Sequence, residues 1–299
     1  MTTRFDNFSD LIHNTHAVQS GDVTLHVETL EVLDSPTDSR AALMLSEAEA
    51  PSSRWSNELL IGMTRAAGRC VWFDTRDVGA STWCEDPYEM ADLVADAQAV
   101  AAAVGITSVD VFGQGMGGEI GLRLALTNPD LVRSLIVMST TPGRREEFGL
   151  PDDWLIDKMG ARLLGEPPAN VQDQARWIVD QLEWFNGPVF NFDRDLAMAS
   201  ARLEVAERWR GPNGHGHAVM EASDIVDALK TLDTPTTLIH GTADPVLPLE
   251  HARALNTAIG NSTLKLVEGL GHELPDAFVE QLLGYIGEHF AASSDDHAV

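Results

Sequence analysis

The chain has 299 residues, 44% of them apolar, which suits one large domain carrying an insertion or two small domains. Its formal net charge of −26 creates a field that repels nucleic acid and anionic membrane surfaces. No apolar run approaches the roughly 18 residues a membrane-spanning helix needs, and two cysteines make no disulfide framework.

The acids are spread along the chain, a pattern that reads as solubility and also suits a salt-rich cytoplasm. The opening MTTRFDNFSDLIHNTHAVQSG lacks a basic start followed by an apolar stretch, so a cytoplasmic location is expected. Residues 1–20 and 293–299 read as frayed ends. VTLHVETLEV (23–32) reads as a hairpin or pair of strands and AALMLS (41–46) as a buried strand. A helix over 55–68 stops at Gly68. A strand leads into a loop over 69–81, and Asp86-Pro87 opens a helix that ends at Gly105. SVDVFG (108–113) is a strand, 117–129 a helix and 131–140 the next strand.

There the alternation stops, and 142–230 reads as helices only, in three stretches at 150–164, 169–185 and 194–209. This segment holds Trp154, Trp177, Trp184 and Trp209, which read as core before they read as a wall for a ligand. The strand–helix pattern resumes with a strand at 234–241, a helix over 248–259, a strand at 262–269 and a helix over 275–290. The order implies a largely parallel sheet covered on both faces, with a core domain of 21–141 and 231–292 and a helical cap of 142–230.

Three loops each follow a strand: GQGMGG (113–118), GTADPVLP (241–248) and GLGHELP (269–275). In a parallel sheet all three emerge at the carboxyl end, where ligands bind. The first fits the strand–turn–helix pattern G-x-S-x-G except at its centre, where Gly115 takes the nucleophile's place. The second puts Asp244 at a strand end, and the third puts His272 after the last strand. Nucleophile, acid and base thus follow the chain order of an α/β-hydrolase triad. Taken singly, Asp244 also fits a helix N-cap, and His272 a hydrogen-bonded structural histidine. Gly113, Gly115 and Gly118 spell G-x-G-x-x-G as well, but on a late strand and with no acidic residue closing the following strand to hold a ribose. His215 and His217 lack a third partner at metal-ligand spacing and read as loop or cap-lining residues. Cys70 reads as core, and Cys84 is a weak candidate for a replacement nucleophile.

FDTRDVGAST (73–82), DLVADAQAVAAAVGITSVDVFGQGMGG (92–118), HGTADPVLP (240–248) and GLGHELP (269–275) resemble the α/β-hydrolases related to aclacinomycin methylesterase, which cleave a methyl ester on an aromatic polyketide. The resemblance covers about residues 20–290. It implies an α/β-hydrolase fold: a mostly parallel, eight-stranded sheet flanked by helices, with an inserted helical cap. It also implies Asp244 as the orienting acid, His272 as the base, and Met116 as the source of one oxyanion-hole backbone N–H.

The chain departs from that pattern at two places. Gly115 has no Oγ, so no acyl-enzyme can form there. The loop after AALMLS, Gly-rich in the family, reads SEAEAP (46–51), and Glu47 falls where a small residue offers its N–H to the oxyanion. A carboxylate there disfavours an oxyanion unless it points away or is protonated. Glu47 reads first as a solvated loop residue and second as a catalytic acid. Three functions stay open. One is an enzyme whose His272–Asp244 dyad activates water or deprotonates a substrate. Another is a methylesterase-like hydrolase whose serine has been replaced by Gly. The third is a non-catalytic ligand-binding protein. The expected partner is a bulky apolar small molecule (ester, lactone or polyketide-like). No cofactor, metal, nucleic acid or membrane is expected, and a homodimer is left open.

Overall fold

The structure, a computed structural model, describes residues 4–5, 7–35, 40–208 and 214–295. The apolar runs form one eight-stranded sheet: β1 (Leu11–Ser20), β2 (Val23–Val32), β3 (Ala41–Leu45), β4 (Arg69–Phe73), β5 (Val109–Gln114), β6 (Val132–Met138), β7 (Thr236–Gly241) and β8 (Ser262–Val267). Their spatial order is β1-β2-β4-β3-β5-β6-β7-β8. The β1–β2 and β2–β4 pairs are antiparallel, and the remaining neighbours are parallel.

β3, β5 and β7 are buried at every position because both sheet faces are covered there. Along β3, Ala41, Leu43 and Leu45 pack with Leu93 and Ile120 on one side, while Ala42 and Met44 pack with Leu59 and Leu282 on the other. The covering helices are α1 (Asn57–Ala67), α2 (Met90–Ala103), α3 (Met116–Thr127), α9 (Leu249–Ala258) and α10 (Val279–Asp295). Between β6 and β7 lie α4 (Asp153–Leu164), α5 (Val171–Phe185), α6 (Arg194–Arg208), α7 (His215–Met220) and α8 (Val226–Leu229). Within this insert, Ala175, Ile178 and Val179 of α5 meet Ala201 and Val205 of α6 in a small core of their own.

Four sequence expectations need correction. Residues 11–20 are not frayed: they form β1, paired with β2 along all ten residues. As an edge strand β1 keeps most positions at least partly exposed, so it carries polar residues such as His13, Asn14 and His16 and a weak apolar signal. Residues 23–32 are accordingly one arm of a hairpin rather than two strands. The helix expected from Asp86-Pro87 starts at Met90, because Glu89 and Asp92 cap its first turn reciprocally. At the other end, α10 runs on to Asp295, beyond the expected stop at 290. The α1 ends fall as expected, with Ser56 accepting from the Leu59 N–H and Gly68 at φ +91°.

Candidate active site

β5 ends at Gln114, and the chain turns into α3 through Gly115, whose φ of 53° and ψ of −119° are open to glycine and strained for other residues. The turn is held from both sides. The Gly115 N–H donates to the Met138 carbonyl (3.0 Å), and the Thr140 hydroxyl donates to the Gly115 carbonyl (2.7 Å). A Cβ on Gly117 would lie 2.0 Å from the Leu45 carbonyl oxygen, so the helix start can press onto β3 only as glycine. Met116, the first residue of α3, follows Gly115 directly, and the first-turn N–H groups of a helix have no partner inside it.

The loops after β7 and β8 bring the other two expected residues together. His272 Nδ1 lies 2.8 Å from Asp244 Oδ2. The other Asp244 oxygen accepts from the N–H groups of Val246 (2.8 Å) and Leu247 (2.9 Å), which fixes the carboxylate and also gives Asp244 the turn-capping role weighed as an alternative. Burial opposes charge on Asp244, but the His272 charge and hydrogen bond outweigh it and hold the carboxyl below its ordinary range. Burial likewise opposes the His272 imidazolium. Asp244, by charge and hydrogen bond, and Glu47, by charge, outweigh it and hold His272 above the ordinary histidine value. His272 Nε2 lies 3.7 Å from the point a Cβ on Gly115 would occupy.

The same point is 3.0 Å from the Glu47 Cβ. Glu47 is therefore not a solvated loop residue. It is 8% exposed and lines a small pocket with Ser46, Arg54 and Trp55. Glu273, the residue after His272, lines the same pocket, and Arg54 Nη1 lies 4.0 Å from Glu47 Oε1. Burial raises both acids, Glu273 well above its ordinary value with the Glu47 charge adding to the effect. Arg54 in turn makes a two-pronged bond to Glu204 of α6, at 2.9 and 3.0 Å. Glu273, Arg54 and Glu204 escaped the sequence reading. Of the three, only Glu273 had a sequence cue, its adjacency to His272.

The helical insert grips the His272 loop through backbone. The His272 N–H donates to the Phe185 carbonyl at the end of α5 (2.8 Å), and the Phe185 ring meets the imidazole edge-on at 5.6 Å. Gly271 and Gly187 permit this approach: a Cβ on Gly271 would sit 2.1 Å from the Phe185 oxygen. His215 is neither a loop nor a cap-lining residue but a buried residue of α7. Its Nδ1 accepts from the Glu49 N–H (2.9 Å) and its Nε2 lies 2.8 Å from the Arg76 carbonyl. Trp154 is 43% exposed and Trp177 and Trp184 are only half-buried, with Arg162 over the first ring and Lys158 over the second, so these three are not the core residues expected; Trp209 lies outside the described residues. Burial and the Asp77 charge push the Cys84 thiol up, the opposite of an activated nucleophile. Among the described residues no group of three or more His, Cys, Asp or Glu is arranged to hold a metal ion, and no helix is long and apolar enough to cross a membrane.

With this geometry in view, comparisons with known proteins bear on the fold and on its relatives. The model of the α/β hydrolase fold family matches residues 51–276. Rhodomycin D methylesterase from Streptomyces peucetius is 26% identical over 302 residues, covering 94% of this chain and 99% of the relative. The non-heme chloroperoxidase of Streptomyces lividans is 26% identical over 250 residues, covering 78% of this chain and 86% of the relative. Among solved structures, the 2-hydroxy-6-oxo-6-phenylhexa-2,4-dienoate hydrolase of Rhodococcus superposes with a TM-score of 0.74 at 16% identity, covering 94% of this chain and 99% of the other. The chain belongs to the α/β-hydrolase-fold family.

Proposed function

We propose that this chain is a hydrolytic enzyme in which the His272–Asp244 dyad activates a water molecule held over Gly115, with no covalent intermediate. The observation that carries the reading is the position of His272. Its Nδ1 is fixed by Asp244, and its Nε2 makes no hydrogen bond to the described residues and faces the hollow left by the absent side chain. A water in that hollow stands where a serine Oγ would, within reach of the base. The raised His272 pKa makes the imidazole a stronger base, and the low Asp244 pKa keeps its partner charged. Met116 N–H would receive the developing oxyanion.

The substrate class is a carboxylic ester on a bulky apolar molecule. The methylesterase relative supports this, as does the Phe185 ring beside His272. The residues of 142–230 act as the cap over this site. Removal of a substrate proton by the same base is the second reading, and it is favoured by Glu47, an acid of the loop after β3 that flanks the turn at Gly115. Hydrolysis of rhodomycin D by the wild type and by His272→Gln tests the proposal. Turnover by the wild type and none by the variant is the expected result, and equal turnover overturns it.

A further inference from the structure

Beside the Gly115 hollow lies a second feature that the dyad does not use, a small pocket of about 30 Å³ whose lining includes Ser46, Glu47, Arg54, Trp55, Gln114 and Glu273. Three polar atoms of this lining are shielded from solvent and, among the described residues, have no hydrogen-bond partner: Ser46 Oγ, Trp55 Nε1 and Glu273 Oε2. Ser46 is 3% and Trp55 6% exposed, and orphaned groups so deep call for a polar occupant. The volume holds about two waters. We propose that Glu47 and Glu273 share one proton in this pocket, solvated by water bound to Ser46, Trp55 and Glu273, and that Glu47 passes that proton to the substrate's carbonyl oxygen.

The geometry supports one shared proton rather than two charges. Both carboxyls line the same small pocket, and burial together with the Glu47 charge pushes Glu273 well above its ordinary value. The charged groups lining the pocket are Glu47, Glu273, Asp276 and Arg54. Arg54 is already paired with Glu204, so it offsets only part of the negative charge. Like carboxyls in contact keep a proton because both cannot ionise cheaply. Glu47 is the member next to the reacting space, and Glu273 is a positioning residue that keeps Glu47 supplied with its proton.

This rests on the water-activation reading. His272 takes one proton from the water, whose oxygen bonds to the carbonyl carbon. The π pair moves to the carbonyl oxygen, which takes the proton from Glu47. The carbon–alkoxy bond then breaks, its electron pair leaves with the alkoxy oxygen, and that oxygen takes the proton held on His272. The carbonyl re-forms as its hydroxyl returns a proton to Glu47. Ester and water become acid and alcohol, and both residues end as they began.

The test has two arms. In the first, infrared spectra of wild type labelled with ¹³C-glutamate are compared with Glu47→Gln/Glu273→Gln at neutral pH, with Glu273→Gln alone as the second variant should the double variant not fold. The expected result is an un-ionised carboxyl stretch in the wild type that the double variant loses and that shifts or vanishes in Glu273→Gln. Wild type showing only carboxylate stretches overturns the shared proton. In the second arm, rhodomycin D hydrolysis is measured across pH. Glu47→Gln should lower kcat by about 10²–10⁴. Glu273→Gln should move the descending limb of the profile to lower pH, and Glu273→Asp should restore it. If Glu47→Gln stays within a few-fold of wild type while His272→Gln is dead, the acid role is overturned and the dyad stands. If His272→Gln is fully active, the dyad reading and this proposal fall together.

Discussion

The Nε2 of His272 lies 3.7 Å from the point where a side chain on Gly115 would begin. The nitrogen proposed as the base thus faces the turn at residue 115, and the behaviour of that residue is the first consequence to test. At φ 53° any Cβ is strained, and here it would also stand 3.0 Å from the Glu47 Cβ. Gly115→Ala should lower unfolding free energy by about 1–3 kcal/mol in a denaturant titration. Gly115→Ser should lose a similar amount and become reactive toward a fluorophosphonate that leaves the wild type unlabelled. An alanine variant as stable as wild type would contradict the strained turn.

Catalysis should follow the ionisation of His272. The base works when neutral and its pKa is raised, so the ascending limb of the rate–pH profile should lie above the ordinary histidine value of about 6.5. Asp244→Asn removes the charge that raises it, so the limb should move to lower pH and kcat should fall by up to about 10⁴ as the tautomer is lost. A limb that stays in place would show that Asp244 does not set the titration.

Stability should respond to acid through a different histidine. Burial holds the His215 pKa at about 4, below its unfolded value of about 6.5. The folded state therefore binds fewer protons between those values. The His215 contribution is complete above about pH 6.5 and is lost as pH falls toward 4, with a slope of up to about 1.4 kcal/mol per pH unit. Denaturant titrations from pH 7 to 4 should show His215→Asn losing stability less steeply than wild type. Equal slopes would mean His215 is not buried neutral.

The grip of the insert on the catalytic loop also makes a prediction. A Cβ on Gly271 would meet the Phe185 oxygen at 2.1 Å, and that oxygen receives the His272 N–H. Gly271→Ala should displace His272 and lower kcat by about 10²-fold. The His272 ring resonances should move in the NMR spectrum of the same variant. Unchanged rate and resonances would mean the contact does not hold the base in place.

Much of this arrangement was legible in the sequence, because each element of the site sits in a glycine-bearing loop that directly follows a strand. Gly115 and Asp244 each follow a strand that is buried along its whole length, whereas His272 follows the edge strand β8, where the loop motif and the chain order carried the signal. β1 was missed for the converse reason: an edge strand with solvent beside it needs few apolar residues. Glu47 was misjudged because nothing local distinguishes a loop acid folded inward from one facing water. Its burial depends on Glu273, 226 residues further along the chain (273 − 47), and on Arg54, itself held by Glu204 of the insert. Such a cluster exists only once three separate segments are packed, so no spacing within the chain encodes it.

The central claim, base catalysis by His272 without a covalent intermediate, is tested most directly by hydrolysis of rhodomycin D by three preparations: wild type, wild type treated with fluorophosphonate, and His272→Gln. The account predicts equal turnover by the first two and none by the third. Turnover by His272→Gln at the wild-type rate, or its loss on fluorophosphonate treatment of the wild type, would contradict it.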